Sequence, residues 1–191
     1  PARSKPSSKP LVLTESSWDG LRAHLAGSPV AGKHDLRDLT EVLSGLGCRI
    51  GELLALDWPR IDDVVGTIAI EGTVIRVPGE GLFVQSHTKS DAGMRTIRPP
   101  RWVFALLRKR HADSHGPWVF PSTRGTLRDP DNTRKALREA VAGTEWEGLH
   151  PHAFRHLVAT RLDAAGLTAR EIADYLGHER VSMTQDVYMS R

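Results

Sequence analysis

The hydrophobic period of this chain changes twice, and the order of those changes restricts its fold more than any other property. Up to about residue 57 apolar side chains recur at helical spacing. Trp18, Leu21, His24 and Leu25 follow the capping residue Thr14, then come Leu36, Leu39, Val42, Leu43 and Leu46. After a break at Gly47, a further helix takes in Ile50, Leu53, Leu54 and Leu56 and stops near Asp57-Trp58-Pro59. From Val64 to Ile97 β-branched residues punctuated by glycine take over, in the runs Thr67–Ile70, Thr73–Val77, Leu82–Gln85 and Arg95–Ile97. Pro78-Gly79-Glu80-Gly81 and Ser90-Asp91-Ala92-Gly93 have turn chemistry, and the second places Lys89 at a hairpin tip. Helical spacing then returns at Trp102 to His111, Asn132 to Val141 behind Pro130, His152 to Ala165, Ala169 to Leu176 and Val181 to Tyr188, with Gly166 and Gly177 as stops. Helices, one small antiparallel sheet and helices again predict a mostly helical α+β domain rather than a βαβ fold. No glycine-rich phosphate loop is present, so no nucleotide cofactor is indicated.

A chain of 191 residues with 39% apolar side chains can bury one full core. The polar, proline-rich start reads as an interdomain linker over residues 1–12, leaving a single domain over residues 13–191. Nothing resembles a signal peptide or an apolar run of membrane length, which predicts a soluble protein with no membrane partner. The lone Cys48 excludes an internal disulfide and any multi-cysteine zinc knuckle, fits a reducing cytoplasm, and reads as a small half-buried helix residue. A net charge of +3 permits nucleic-acid binding without demanding it. The choice of cation says more: 20 Arg stand against 6 Lys, and the guanidinium fork can grip phosphate oxygens bidentately.

Four short patterns bear on chemistry. His152 and Arg155, three apart behind Pro151, project from one helix face, where one phosphate could touch both; a surface ion-pair position has the same spacing. Arg49 sits at a helix start, where backbone N–H groups also favour an anion, and Glu52 one turn later can orient a neighbouring side chain. His178, after Gly177, can donate an N–H to a phosphoryl oxygen or simply cap a helix. Tyr188, among Met183, Val187 and Met189, is by itself an ordinary packing aromatic. Two other readings use the same residues. His150, His152 and His156 have the spacing of a metal site, which would make the protein a metallohydrolase, although no cysteine or placed carboxylate completes the set. A catalytically idle DNA-binding module could also use the basic residues, but it has no need of a nucleophile.

Taken in order, these patterns resemble the tyrosine recombinase (phage integrase) family, whose fold and chemistry are shared with type IB topoisomerases. Gly47-Cys48-Arg49-Ile50-Gly51-Glu52-Leu53 looks like its first arginine motif, and Thr88-Lys89 followed by Arg95-Thr96-Ile97 looks like its hairpin lysine. His152-Ala153-Phe154-Arg155-His156, Leu176-Gly177-His178 and the closing Tyr188 complete the series. The resemblance implies the tyrosine recombinase catalytic fold and site-specific DNA strand cleavage through a 3′-phosphotyrosyl intermediate, with a type IB topoisomerase as the nearest enzymatic alternative. It implies Tyr188 as nucleophile, Arg49, Arg155 and His178 on the non-bridging oxygens, Lys89 as the acid for the leaving 5′-oxygen and His152 in proton transfer at the tyrosine, with Glu52 and His156 supporting. Neither metal nor ATP nor any other cofactor is implied. The implied partners are duplex DNA attachment sites, further recombinase subunits forming a tetramer on DNA in the full-length protein, and a host DNA-bending or directionality factor. The implied location is the cytoplasm, with the nucleoid of a bacterium or its phage. The segment around Gly79-Glu80-Gly81 is similar to integrases of actinobacterial phages and mobile elements, and the core-binding and arm-binding domains common in such proteins have no counterpart in this sequence.

Overall fold

The computed structural model describes residues 11–86 and 94–178. Helix α1 (Glu15–Gly27) begins where Thr14 Oγ1 accepts from the Ser17 N–H at 3.2 Å, and it buries Trp18, Leu21 and Leu25. Trp18 meets Phe154 edge to face, with ring centroids 5.5 Å apart. A short helix α2 (Pro29–Lys33), capped by the Ser28 hydroxyl, precedes α3 (Leu36–Leu46). The sequence reading lacks α2, whose five residues are too few to show a period, although the Ser28-Pro29 start signal was present. Helix α3 is the axis of the core: Leu36, Leu39, Val42, Leu43 and Leu46 are all buried.

After α4 (Ile50–Leu54) and a single 3₁₀ turn at Trp58–Arg60, the chain enters its β region. Strands β1 (Ile61–Asp62), β2 (Thr67–Ile70) and β5 (Arg95–Ile97) form a three-stranded antiparallel sheet in the order β1-β2-β5. Among the described residues β3 (Gly72–Val77) and β4 (Gly81–Ser86) pair only with each other, which gives two sheets where the sequence suggested one. The reason is that a strand has two edges. Those of β2 are taken by β1 and β5, and β3 must bend away to find a partner. The β3–β4 hairpin turns at Pro78-Gly79-Glu80 as expected, with φ of +81° at Gly79 and +105° at Gly81.

The remaining helices are α5 (Arg101–Ala112), α6 (Pro130–Ala140), α7 (His152–Ala164) and α8 (Ala169–Leu176), each close to its expected span. The expected helix from Val181 to Tyr188 and the Lys89 hairpin tip lie outside the described residues. Helix α7 packs against both α3 and α8, burying Ala153, Phe154, Leu157 and Val158. One backbone position makes this three-helix junction possible. Gly47 ends α3 with φ of +62°, and a Cβ there would lie 2.8 Å from Leu176 Cδ2 and 2.9 Å from Val158. Only glycine satisfies both the left-handed conformation and the close approach. Among the described residues no helix is long and apolar enough to cross a membrane.

Candidate phosphate-binding site

Tight turns bring Arg49, Arg155 and His178 together. The segment Gly47-Cys48-Arg49 leaves α3 with the Gly47 carbonyl turned toward α7, where it accepts from Arg155 Nη1 at 3.0 Å. At the opposite wall Gly177, with φ of +72°, ends α8, and its carbonyl accepts from Arg49 Nη2 at 3.3 Å. His178 follows directly, its own N–H bonded to the Ala173 carbonyl at 2.9 Å. Two left-handed glycines therefore aim Arg49, Arg155 and His178 at one region. Cys48 lies in this turn rather than on a helix, and it is fully buried because the junction closes over it. Burial and the nearby Glu52 carboxylate push its thiol up to about 12, so it is inert.

Arg49 is the residue before α4, as expected, but the anion at that helix start is the protein's own. The Glu52 carboxylate, 1% exposed, accepts the Arg49 backbone N–H at 2.9 Å and Arg49 Nη1 at 2.8 Å. Its Oε2 also accepts from Arg95 Nη2 at 2.9 Å. Burial opposes ionisation of Glu52, but the Arg95 guanidinium and the Arg49 bonds outweigh it and hold the group at about 2. Arg95 reaches back from β5 to α8 as well, donating from Nε to the Tyr175 carbonyl at 2.8 Å. The sequence places this residue in a strand and in the hairpin-lysine motif, with no role of its own in the site. Arg95 ties β5, which follows Lys89 in the chain, to the Arg49 turn and to α8.

Glu52→Gln should lower stability by about 3 kcal/mol, because a buried guanidinium loses its counter-charge and one amide N–H faces another donor. For a domain of this size that corresponds to a fall in Tm of roughly 6–12 °C. The pH dependence has a definite sign. A carboxylate depressed from the ordinary range to about 2 contributes stability that is present above pH ~4.3 and lost as pH falls toward 2. The Gln variant should lack that part of the acid transition, and superimposable acid unfolding curves for the two proteins would contradict the assignment.

Arg155 is 2% exposed and has no carboxylate partner among the described residues. Burial and the facing Arg49 lower it to about 10, so it remains a cation at neutral pH. Its Nε donates to His178 Nε2 at 3.2 Å, while Nη2 is buried without a hydrogen-bond partner among the described residues. A histidine nitrogen that accepts carries no proton, which puts the His178 proton on Nδ1 in this arrangement. Desolvation, then Arg155, Arg49 and His152, hold the His178 ring at about 4 and thus neutral. His152 is likewise lowered to about 4, by desolvation and then by His156, Arg155, His150 and Arg49. A neutral His152 is free to accept a proton.

Arg49, His152 and Arg155 line one cleft of about 320 Å³, confirming that the helical spacing of His152 and Arg155 puts both on one face. His156 sits behind His152, with ring centroids 4.9 Å apart, and desolvation lowers its pKa too. His150 and His152 have ring centroids 6.3 Å apart, and among the described residues no three His, Cys, Asp or Glu side chains are grouped as ligands of one ion. Lys89 and Tyr188 lie outside the described residues.

Comparisons with known proteins agree with this fold. The chain is 31% identical over 185 residues to the tyrosine recombinase XerD of Caulobacter vibrioides, covering 92% of this chain and 56% of that protein. It is 30% identical over 182 residues to the tyrosine recombinase XerC of Mycobacterium sp. strain KMS, covering 92% of this chain and 57% of that protein. The chain thus spans about half the length of these relatives. Among solved structures, the Tn1549 transposon integrase in complex with circular intermediate DNA superimposes with a TM-score of 0.80 at 22% identity, covering 95% of this chain and 64% of that one. A lambda integrase tetramer bound to a Holliday junction matches with a TM-score of 0.58 at 20% identity, covering 93% and 49%. The model of the phage integrase family matches residues 13–191, and the chain belongs to that family.

Proposed function

We propose that this chain is the catalytic domain of a site-specific DNA recombinase that breaks and rejoins strands through a phosphotyrosine bond. The observation that carries this reading is Arg155, a buried cation with no carboxylate partner among the described residues, sharing a cleft with Arg49 and His152. Such an arrangement is destabilised by self-repulsion until an anion enters, and it suits the charge that develops on a phosphoryl group under attack. In this mechanism the Tyr188 oxygen attacks phosphorus and its proton passes toward neutral His152. The 3′-phosphotyrosyl bond forms as the bond to the 5′-oxygen breaks, and Lys89 protonates that oxygen. The freed 5′-hydroxyl of a partner strand reverses the reaction. One phosphodiester is exchanged for another, so no ATP is consumed, and the fixed cations supply the countercharge that a metal would otherwise give. Duplex DNA and further recombinase subunits are the partners, and the compartment that holds the DNA is the place of action.

Incubation with a nicked suicide duplex should give an SDS-stable, protease-sensitive protein–DNA adduct, unaffected by a chelator. A duplex that is bound but never captured would instead favour a binding module, and adducts lost on chelation and restored by zinc would favour a metal site.

A further inference from the structure

The cleft is lined by more nitrogen-bearing side chains than one phosphate can use. Besides Arg49, His152 and Arg155, it is lined by Arg134 from α6 and by His150 from the loop before α7. His178 contacts Arg155 but does not line the cleft, which therefore extends from Arg155 toward Arg134 and His150. Arg134 is placed by the frame of α6. Asp129 caps that helix, Thr133, Ala136 and Leu137 are buried beneath it, and the Arg134 side chain stays 41% exposed. Among the described residues its one ion pair is Nη1 to Asp131 at 2.6 Å, on a carboxylate that is 77% exposed. An exposed i,i+3 pair of this kind is weak, so an incoming phosphate can compete with it. It also leaves Nε and Nη2 available to a ligand. Glu52 offsets only part of the cleft's charge, because Arg49 and Arg95 share its single carboxylate. The volume of about 320 Å³ exceeds what one phosphoryl group fills.

We propose that Arg134, with His150 beside it, forms a second phosphate subsite, so that the cleft grips the scissile phosphodiester and a neighbouring uncleaved phosphodiester of the same strand. The assignment rests on the recombinase reading for the identity of the ligand as DNA. It makes Arg134 a positioning residue that fixes the strand's register relative to Arg49 and Arg155, and not a group that stabilises the reacting phosphorus.

The test uses Arg134→Gln and a set of duplexes in which each phosphate flanking the cleavage position is replaced, one at a time, by a neutral methylphosphonate. Binding is read by fluorescence anisotropy against salt, and cleavage by the initial rate of adduct formation. Arg134→Gln should weaken binding to the unmodified duplex about tenfold. It should also reduce the magnitude of the log–log salt slope by about 0.9, the signature of one lost phosphate contact. For the wild type, one particular neutralised phosphate should cost the same factor. For Arg134→Gln that same replacement should cost almost nothing more, while the other replacements penalise both proteins alike. An unchanged salt slope, or equal penalties for both proteins at every position, would overturn the subsite. Failure of the underlying reading looks different: the wild type would form no adduct with the unmodified duplex, while the binding arm would still decide whether Arg134 holds a phosphate. Matching thermal melts of the two proteins would show that the variant is folded.

Discussion

Tyr188→Phe should abolish covalent attachment to DNA, lowering adduct formation by at least about 10⁴-fold while leaving duplex affinity within about twofold. The substitution deletes one oxygen and keeps the ring, so any packing role survives. The structure strengthens the expectation by disqualifying the nearest substitutes. The chain has two tyrosines, and the other, Tyr175, is half-buried on α8 with its hydroxyl donated to the Gly45 carbonyl at 3.4 Å. Burial and the neighbouring Cys48 push that phenol well above the ordinary tyrosine range, so its phenolate is out of reach at neutral pH. Cys48 is sealed in the core with its thiol held at about 12. Neither can take over. Denaturing gels with end-labelled suicide duplexes would measure the effect. A persistent adduct in the variant would remove Tyr188 from the mechanism, and a parallel loss of affinity would give it a packing role instead.

What could be read from the chain and what could not follow the range of the interactions involved. Helices announced themselves through local devices: Thr14 before α1, Pro130 at α6, and left-handed glycines after α3 and α8. His152 and Arg155 could be placed on one face because helical spacing is local. Contacts between distant segments were not legible in the same way. The hydrogen bond from Arg155 to Gly47 spans 108 positions and that from Arg49 to Gly177 spans 128, and a period says nothing about which turn meets which helix. Arg95 shows where a signal existed but was passed over. It alternates with Ile97 along β5, and Ile97 is buried, so Arg95 lies on the apolar face of a strand. Glu52 likewise sits in α4, a helix buried on all sides. A charge on each of two buried surfaces signals a partner, since neither would be buried unpaired. The split of the β region was also implicit, because three strand edges cannot all be satisfied by β2.

Arg155→Lys should slow strand cleavage by about 10²–10³-fold with at most a tenfold loss of DNA affinity. Charge is conserved in this change, so a site that needed only a cation would tolerate it. The observed geometry asks for more. One guanidinium donates from Nη1 to the Gly47 carbonyl at 3.0 Å and from Nε to His178 at 3.2 Å, and it still holds Nη2 in reserve. These three donors lie in one plane and point in fixed, different directions. A lysine ammonium gathers its donors at a single atom, so it can satisfy the backbone carbonyl or reach a phosphoryl oxygen, but it cannot also anchor the imidazole. The loss should therefore fall on the chemical step rather than on binding, and single-turnover cleavage at saturating protein separates the two. Arg155→Met provides the complementary measurement. With the cation gone, the second-largest influence depressing His178 disappears, so its pKa should rise from about 4 toward the ordinary histidine range in an NMR titration. An unmoved His178 would show that the Arg155–His178 contact is not what sets the ring's charge. Near-normal cleavage by the Lys variant would mean that the site uses Arg155 as a point charge and that its planar fork is incidental.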